Sequence, residues 1–357
     1  MAGRERIDEL LATVPAGLQR MQLPSGLLCH EVRAPEWSPR GRSLRYTAMV
    51  LIGLSRAEPA GLEHGLDRRR IETTLWAHLD SSELSVGDLG LLLWLDARTE
   101  SGRGEEILGR LRAALPGAGG LGALEGMELG WIATGLALQV AAAGAPGAEA
   151  LLHDALRELL DVRQASGGLF YHHGLPSSRR RFPNFATQIY GVLALTTAAD
   201  LDARALAGAR LAADRLIALQ LPDGGWPWLF DAEHGRVVEP YEVYSVHQDA
   251  MAPMALLALY EATGEERYRR AVARGLDWLW GENDLGVSMI ESGFVRRSIR
   301  RRRPLDRVAL YANTAGAMLG GRRVVGANGT REVNASDRPY HLGWVLEAWA
   351  GRQGALD

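Results

Sequence analysis

The sequence of 357 residues lacks several features that would place it in other classes of protein. A single cysteine, Cys29, excludes an intrachain disulfide and any zinc site built on several cysteines. No apolar run approaches the roughly 18 residues of a membrane span, since the nearest candidate, 131–144, is too short and contains Gln139. The net charge of −3 provides no overall positive field for nucleic acid, and no ladder of aromatic residues accompanies the arginines.

The beginning of the chain lacks the apolar segment of a secretory signal, being charged and amphipathic instead. Hydrophobic residues make up 47% and charged residues 23% of the sequence, the balance of a globular protein with a large core. These features predict a soluble cytoplasmic protein without a transmembrane segment.

What the sequence does contain is an apolar periodicity near 3.6 residues, which is typical of helices. Amphipathic segments rich in arginine and glutamate lie at 5–21, 67–80, 103–115, 147–164, 202–220 and 265–281. Segments that are apolar on nearly every side alternate with them at 43–57, 85–97, 127–144, 184–199, 244–263 and 339–351. A helix of the second kind must be buried all round. The alternation therefore predicts an all-α (α/α)6 toroid, with six inner and six outer helices in one domain over residues 1–357.

A short repeat supports this architecture. Three outer segments end in a glutamine followed by a glycine turn and an apolar residue, at Gln22–Leu27, Gln164–Leu169 and Gln220–Trp226. The last copy, Gln-Leu-Pro-Asp-Gly-Gly-Trp, resembles the Gln/Trp repeat of squalene and terpene cyclases and similar turns in α/α-toroid polysaccharide lyases. The resemblance implies the toroid fold shared with many glycosidases, and a structural clamp between hairpins for Gln220 and Trp226.

A long irregular stretch at about 284–338 interrupts the alternation before the last inner segment. It contains the basic run Arg300–Arg303, a helical piece near 305–319, and an Asn328-Gly329 pair that is typical of a β-hairpin. Insertions of this length in compact folds are usually lids or binding loops. We therefore expect it to cover one mouth of the toroid.

Pairs of polar or aromatic residues stand at the start of each inner segment, spaced so that they share one helix face. They are Arg42 with Tyr46, Ser85 with Asp88, Glu128 with Trp131, Asn184 with Gln188, Tyr244 with His247, and Tyr340 with Trp344, beside His341. In a toroid the amino ends of all inner helices point the same way, so the pairs are expected to converge on one cavity at the positive ends of the helix dipoles.

The stretch Glu239–Asp249 is the richest in groups suited to acid–base chemistry. It supplies Glu242, Tyr244, His247 and Asp249 as catalytic candidates, because burial beside aromatic rings moves the pKa of such groups towards neutrality. Further binding candidates are Arg45, Tyr171, His172, Trp226 and Trp228. Adjacent histidines such as His172 and His173 are poor co-ligands for one metal, so no metal or cofactor is predicted.

Aromatic platforms together with carboxylates, amides and arginines are typical of carbohydrate sites, so the sequence predicts an enzyme acting on a glycan, preferably an acidic one. Two chemistries stay open. A glycosidase would use two carboxylates, Asp249 with Glu242 or Glu128. A uronate lyase or epimerase would use Tyr244 and His247 as acid and base, with Asn184 and Arg45 holding the sugar carboxylate; this set resembles that of the toroid lyases in residue types.

Two other functions compete with this one. A protonating terpene cyclase would use Asp249, although the Asp-x-Asp-Asp motif of those enzymes is absent and Asp249 is the one acid left of it. A non-catalytic glycan-binding scaffold would keep the aromatic residues and tolerate loss of the acid–base set.

Overall fold

The computed structural model describes residues 3–142, 145, 147–291, 293–302, 305–320, 325 and 330–357. In chain order the helices are α1 (Gly3–Met21), α2 (Leu44–Ala57), α3 (Arg68–Trp76), α4 (Val86–Thr99), α5 (Gly104–Ala114), α6 (Gly126–Ala141), α7 (Ala148–Arg157), α8 (Phe185–Thr197), α9 (Ala205–Ala218), α10 (Ala252–Thr263), α11 (Glu266–Leu279), α12 (Leu305–Met318) and α13 (Pro339–Trp349). The strands are β1 (Glu31–Arg33), β2 (Ser38–Arg40), β3 (Leu229–Asp231), β4 (Arg236–Glu239), β5 (Val243–Tyr244), β6 (Ile290–Glu291), β7 (Phe294–Val295), β8 (Ser298–Arg301), β9 (Arg331–Asn334) and β10 (Ser336–Asp337).

Six helices form a closed inner ring. Helices α2, α4, α6, α8, α10 and α13 each contact the next in this order, and α13 returns to α2. Helices α1, α3, α5, α7, α9 and α11 pack around them on the outside. The inner helices are apolar on every side because they are covered on every side: in α8, every residue from Phe185 to Thr196 is buried. The predicted toroid is confirmed.

Glycines let neighbouring inner helices approach closely. A Cβ atom on Gly53 of α2 would lie 2.1 Å from the carbonyl oxygen of Gly343 on α13, and one on Gly135 of α6 would lie 2.3 Å from that of Gly90 on α4. The atoms that an added Cβ would meet belong to the backbone of the neighbouring helix, so they could not move aside as a flexible side chain can. The many small residues of the inner segments are thus a requirement of the ring.

The glutamine repeats hold consecutive outer hairpins together. Gln220 Nε2 donates to the carbonyl of Gly224 in its own turn (2.7 Å) and to that of Ala271 in α11 (3.0 Å). Gln164 makes the same pair of bonds, to Gly168 (3.3 Å) and to Gly208 in α9 (2.8 Å). A side chain that satisfies carbonyls of two elements fixes their relative position, as the resemblance to the cyclase repeat implied for Gln220.

Replacement of Gln220 by alanine tests this clamp. Two buried carbonyls would lose their donor, at about 1–3 kcal/mol for each group left unsatisfied. We expect the free energy of unfolding to fall by roughly 2–3 kcal/mol in urea titrations. Gln19→Ala is the matched control because Gln19 is exposed and makes one long bond of 3.4 Å. Equal losses in the two variants would contradict the clamp.

The insertion at 284–338 is a mixed α/β segment packed on the ring. Strand β8 pairs with β5, which leads into α10, and with β9 in the register Ile299↔Val333. Helix α12 contacts β4 and β8. The hairpin predicted around Asn328-Gly329 lies outside the described residues. No described helix is long and apolar enough to span a membrane.

Candidate active site

A cavity of about 220 Å³ lies at the amino ends of the inner helices. It is lined by Arg45, Tyr46, Met49, Met127, Trp131, Asn184, Ala186, Tyr190, Trp228, Tyr244, His247, Met251, Arg297 and Tyr340. Its volume is somewhat below the roughly 300–1,000 Å³ of pockets for drug-sized ligands. The lining is rich in aromatic rings and contains no carboxylate among the described residues.

Eight of the residues singled out in the sequence lie together in this cavity: Arg45, Tyr46, Trp131, Asn184, Trp228, Tyr244, His247 and Tyr340. The convergence follows from the common direction of the inner helices. Asn184 also caps α8, where its Oδ1 accepts from the Thr187 N–H at 2.9 Å. The cap occupies the amide oxygen and leaves the amide nitrogen as a free donor of a residue that lines the cavity.

His247 is the most unusual polar group of the lining. Its side chain is 4% exposed, and its Nδ1 is buried with no hydrogen-bond partner among the described residues. Three rings surround it: Phe185 at 4.4 Å, Tyr244 at 5.1 Å and Trp228 at 6.3 Å between centroids. Burial lowers the pKa of His247 well below 6.5, and the charges of Arg297 and His341 lower it further. The imidazole is therefore neutral at physiological pH and able to accept a proton.

The backbone at His247 is also irregular. His247–Met251 form a π-helical turn that leads into α10. Such turns widen a helix locally and are frequent at functional sites. Here the turn brings both His247 and Met251 to the cavity wall.

Tyr244 and Tyr340 are two of the four tyrosines that line the same space. Burial raises the pKa of Tyr244 to about 12, and Glu242 acts in the same direction. Burial likewise raises the pKa of Tyr340. Both hydroxyls therefore stay protonated at neutral pH and can donate a proton or a hydrogen bond.

Arg45 lines the cavity as part of a polar network across three inner helices. Its guanidinium pairs with Asp88 on α4 and donates to Ser85 Oγ at 3.1 Å. Ser85 in turn donates to Glu128 on α6 at 3.1 Å. Asp88 also completes the capping box of α4 with Ser85. Asp88 and Glu128 thus lie behind the cavity wall, where they position Arg45 over the Trp131 ring at 5.2 Å.

Asp249 does not reach the cavity. It is fully buried, with His341 Nε2 2.8 Å from its Oδ1 and 2.9 Å from its Oδ2. His341 Nδ1 lies 3.3 Å from Asp337 on its other side. Burial alone would lower the pKa of His341, but Asp249 and Asp337 outweigh it and raise the pKa to about 10. The three residues form a buried ionic link that joins the π-helical turn before α10 to β10 and the start of α13.

The other predicted site residues also lie outside the cavity. Glu242 accepts from Ser298 Oγ at 2.6 Å, and Arg42 pairs with Glu83 on the surface. Tyr171 stacks under Arg180 (3.9 Å), and His172 is buried against Thr187 (3.0 Å). The amide of Gln188 accepts from the N–H of Phe170 and donates to its carbonyl, both at 2.8 Å. Trp226 is fully buried against Phe185. Trp344 stacks on Trp94 with 5.3 Å between the ring centroids. Each is held by packing, a hydrogen bond or an ion pair outside the lining of the cavity.

The residues missed by sequence reasoning include Tyr190 and Arg297. Tyr190 lies on α8 four residues after Ala186, so the two share the helical face that lines the cavity. Arg297 comes from the insertion, where no periodicity relates a position to the ring, so its place needed the structure.

A group that could hold a metal lies elsewhere, at Asp231, Glu233 and His234, whose ligand atoms are within 4.8 Å of one another. Asp231 already accepts from Arg181 at 2.7 Å and from Arg236 at 3.2 Å. The arginines supply the positive charge that a metal would bring, so we interpret the cluster as an ion-pair network.

No known family model matches this chain, and no curated protein matches it in sequence. Several solved structures are similar to it in fold. A cellobiose 2-epimerase from Bacillus thermoamylovorans has a TM-score of 0.66 at 11% identity, covering 98% of this chain and 99% of that one. A D-mannose isomerase gives 0.66 at 12% identity, with 96% of each chain covered. An unsaturated glucuronyl hydrolase specific for heparin gives 0.63 at 14% identity, with 99% and 98% covered. The chain therefore has the α/α-toroid fold of these proteins over nearly its full length.

Proposed function

We propose that this chain is a sugar-active enzyme that moves a proton at a carbon atom next to a carbonyl or carboxyl group, as epimerases, isomerases and lyases do. The observation that carries the proposal is the buried His247, neutral and without a protein partner at Nδ1, in an aromatic cavity beside two protonated phenols. Structural neighbours named as a cellobiose 2-epimerase and a D-mannose isomerase share the fold, but the proposal rests on the site.

In this proposal His247 is the general base. The lowered pKa keeps the ring unprotonated, which is the form that can take the proton from the sugar carbon. Tyr244 or Tyr340 donates a proton or hydrogen bond to the oxygen on which negative charge develops. The faces of Trp131, Trp228 and Tyr46 provide flat apolar surfaces for the sugar ring.

Hydrolysis by two carboxylates fits the cavity less well. A glycosidase needs a pair of carboxyl groups roughly 5–9.5 Å apart on either side of the scissile bond. Asp249 is buried in its ion pair with His341, and neither Glu242 nor Glu128 lines the cavity. The same position of Asp249 disfavours a protonating terpene cyclase, which would have this residue as its acid.

Deuterium exchange tests the proposal. Protein in D2O would be incubated with reducing sugars, disaccharides and uronosyl oligosaccharides, and proton NMR would follow the hydrogen next to the carbonyl or carboxyl carbon. We expect its replacement by deuterium with a new epimer or isomer, or an unsaturated product if elimination follows. New reducing ends without exchange would point to a hydrolase. Conversion of an isoprenoid diphosphate that Asp249→Asn abolishes would point to a cyclase.

A glycan-binding scaffold would bind one of these sugars without converting it, which the same spectra would show. The acidic substrate, the oligosaccharide partner and the cytoplasmic location stay predictions of the sequence, as does the single domain over 1–357.

A further inference from the structure

Two arginines line the cavity in the described part of the chain, and only one of them has an ion-pair partner. Arg45 is ion-paired with Asp88. The Arg297 guanidinium has no carboxylate within ion-pairing distance among the described residues, although other arginines of the insertion do: Arg296 pairs with Glu291 at 3.0 Å and Arg300 with Glu332 at 2.9 Å. Among the described residues, Arg297 is therefore the cation of the cavity lining that no carboxylate pairs with directly, Glu242 acting on it only from a longer distance.

The fold holds Arg297 firmly in this place. Its backbone N–H donates to the carbonyl of Asn334 (3.0 Å), and its carbonyl accepts from Ser245 (2.9 Å). Its guanidinium lies over the Tyr244 ring, 5.0 Å from the centroid. Burial alone would lower the pKa of Arg297, but the neighbouring tyrosines, Tyr340 foremost, and the carboxylate of Glu242 outweigh it and raise the pKa, so the side chain stays charged.

The half-buried Arg297 has lost part of its hydration, and a ligand that supplies a counter-ion would offset this cost. A planar guanidinium matches a carboxylate with two parallel hydrogen bonds, which gives the pair both strength and direction. One cation without a direct ion pair matches one negative charge, and His247 lies close enough for its pKa to be lowered by Arg297. A carboxylate bound there would hold the sugar beside the base.

We propose that Arg297 is a specificity-determining residue that selects a sugar carrying a single carboxylate, a uronate, over its neutral counterpart. The role of Arg297 in the reaction rests on the proposed function, whereas its binding of a uronate does not depend on it. The sequence predicted that Arg45 holds the sugar carboxylate. We assign this role to Arg297 instead, because Arg45 is already ion-paired with Asp88.

Equilibrium binding tests this inference without any reaction. Calorimetry would compare D-glucuronate and D-galacturonate with their uronamides, which keep the shape and lose the charge, and with glucose 6-sulfate as a second monoanion. We expect the wild-type protein to bind at least one uronate about 30-fold or more tighter than its uronamide, since the uronamide lacks the charge that pairs with the guanidinium. Arg297→Gln should abolish that ratio, and Arg297→Lys should restore part of it.

Arg296→Gln is the matched control, with the same substitution one residue away and outside the cavity lining; it should leave the ratio unchanged. Equal affinity of the wild-type protein for uronate and uronamide would overturn the inference, as would an undiminished ratio in Arg297→Gln or a tenfold preference for the sulfate. Uronate binding without deuterium exchange would instead refute the proposed function and leave the assignment of Arg297 standing.

Thermal denaturation separates this role from a structural one. Because Arg297 has no ion-pair partner in the described chain, its replacement by glutamine should not lower the melting temperature without ligand. A clear loss of stability in Arg297→Gln would identify a structural residue and overturn the proposal.

Discussion

Replacing His247 by phenylalanine or glutamine should reduce turnover by about 10²–10⁴-fold, the usual contribution of a general acid or base, while the protein stays folded. The phenylalanine ring can occupy the same space against Phe185 and Trp228, and no protein hydrogen bond is lost at Nδ1. The measurements are kcat and KM on the substrate found by deuterium exchange, with the melting temperature of each variant beside them.

His153→Gln is the control for this substitution because His153 lies exposed on the outer helix α7. It should leave kcat unchanged. If His247→Phe kept full activity, His247 would be a packing residue and another group of the cavity would have to be the base.

The pH profile gives an independent view of the same residue. Burial, Arg297 and His341 all lower the pKa of His247, so the base form persists well below pH 6.5 and kcat/KM should fall only in more acidic solution. Arg297→Gln removes one of the two repelling charges named here, and the acid limb should move to higher pH. Movement to lower pH, or none, would contradict the proximity of these charges to the active ring.

The fold was predictable because its signals are local. The amphipathic pattern of an outer helix and the apolar pattern of an inner helix can each be recognised within about 15 residues. The glutamine turns mark where an outer helix ends. The position of the cavity followed from the same signals, since polar pairs at inner helix starts must meet when the helices run parallel. Tyr46, Trp131, Tyr244 and Tyr340 reach it for that reason.

The assignment of individual roles was less predictable because it depends on partners far away in sequence. Asp249 looked like an acid in the richest stretch, but His341, 92 residues later, binds it. Gln188 looked like a ligand for substrate, but the backbone of Phe170 takes both ends of its amide. Arg297 gave no signal because an irregular insertion has no period from which a face can be read.

The buried link Asp249–His341–Asp337 should dominate the stability of the ring closure, where the π-helical turn before α10 meets α13. Asp249→Asn leaves a charged imidazole without its nearest counter-ion, and breaking a buried pair in this way typically lowers the free energy of unfolding by about 3–5 kcal/mol. The double variant Asp249→Asn/His341→Gln should recover part of the loss, because the unpaired charge goes with the imidazole. Asp161→Asn, in an exposed pair with Arg204, is the control and should change stability little.

The pH dependence of stability follows from the sign of the His341 shift. Its pKa is about 10 in the folded protein and 6.5 in the ordinary reference state, so the folded chain binds this proton more tightly than the unfolded chain does. The stabilisation is therefore fully present below pH 6.5 and is lost as the pH rises through 10. Urea titrations between pH 6 and 10 should show this decline in the wild-type protein and a weaker one in Asp249→Asn. If Asp249→Asn lost activity but kept the stability of the wild-type protein, Asp249 would instead be a catalytic acid. The mechanisms that use carboxylates would then have to be considered again.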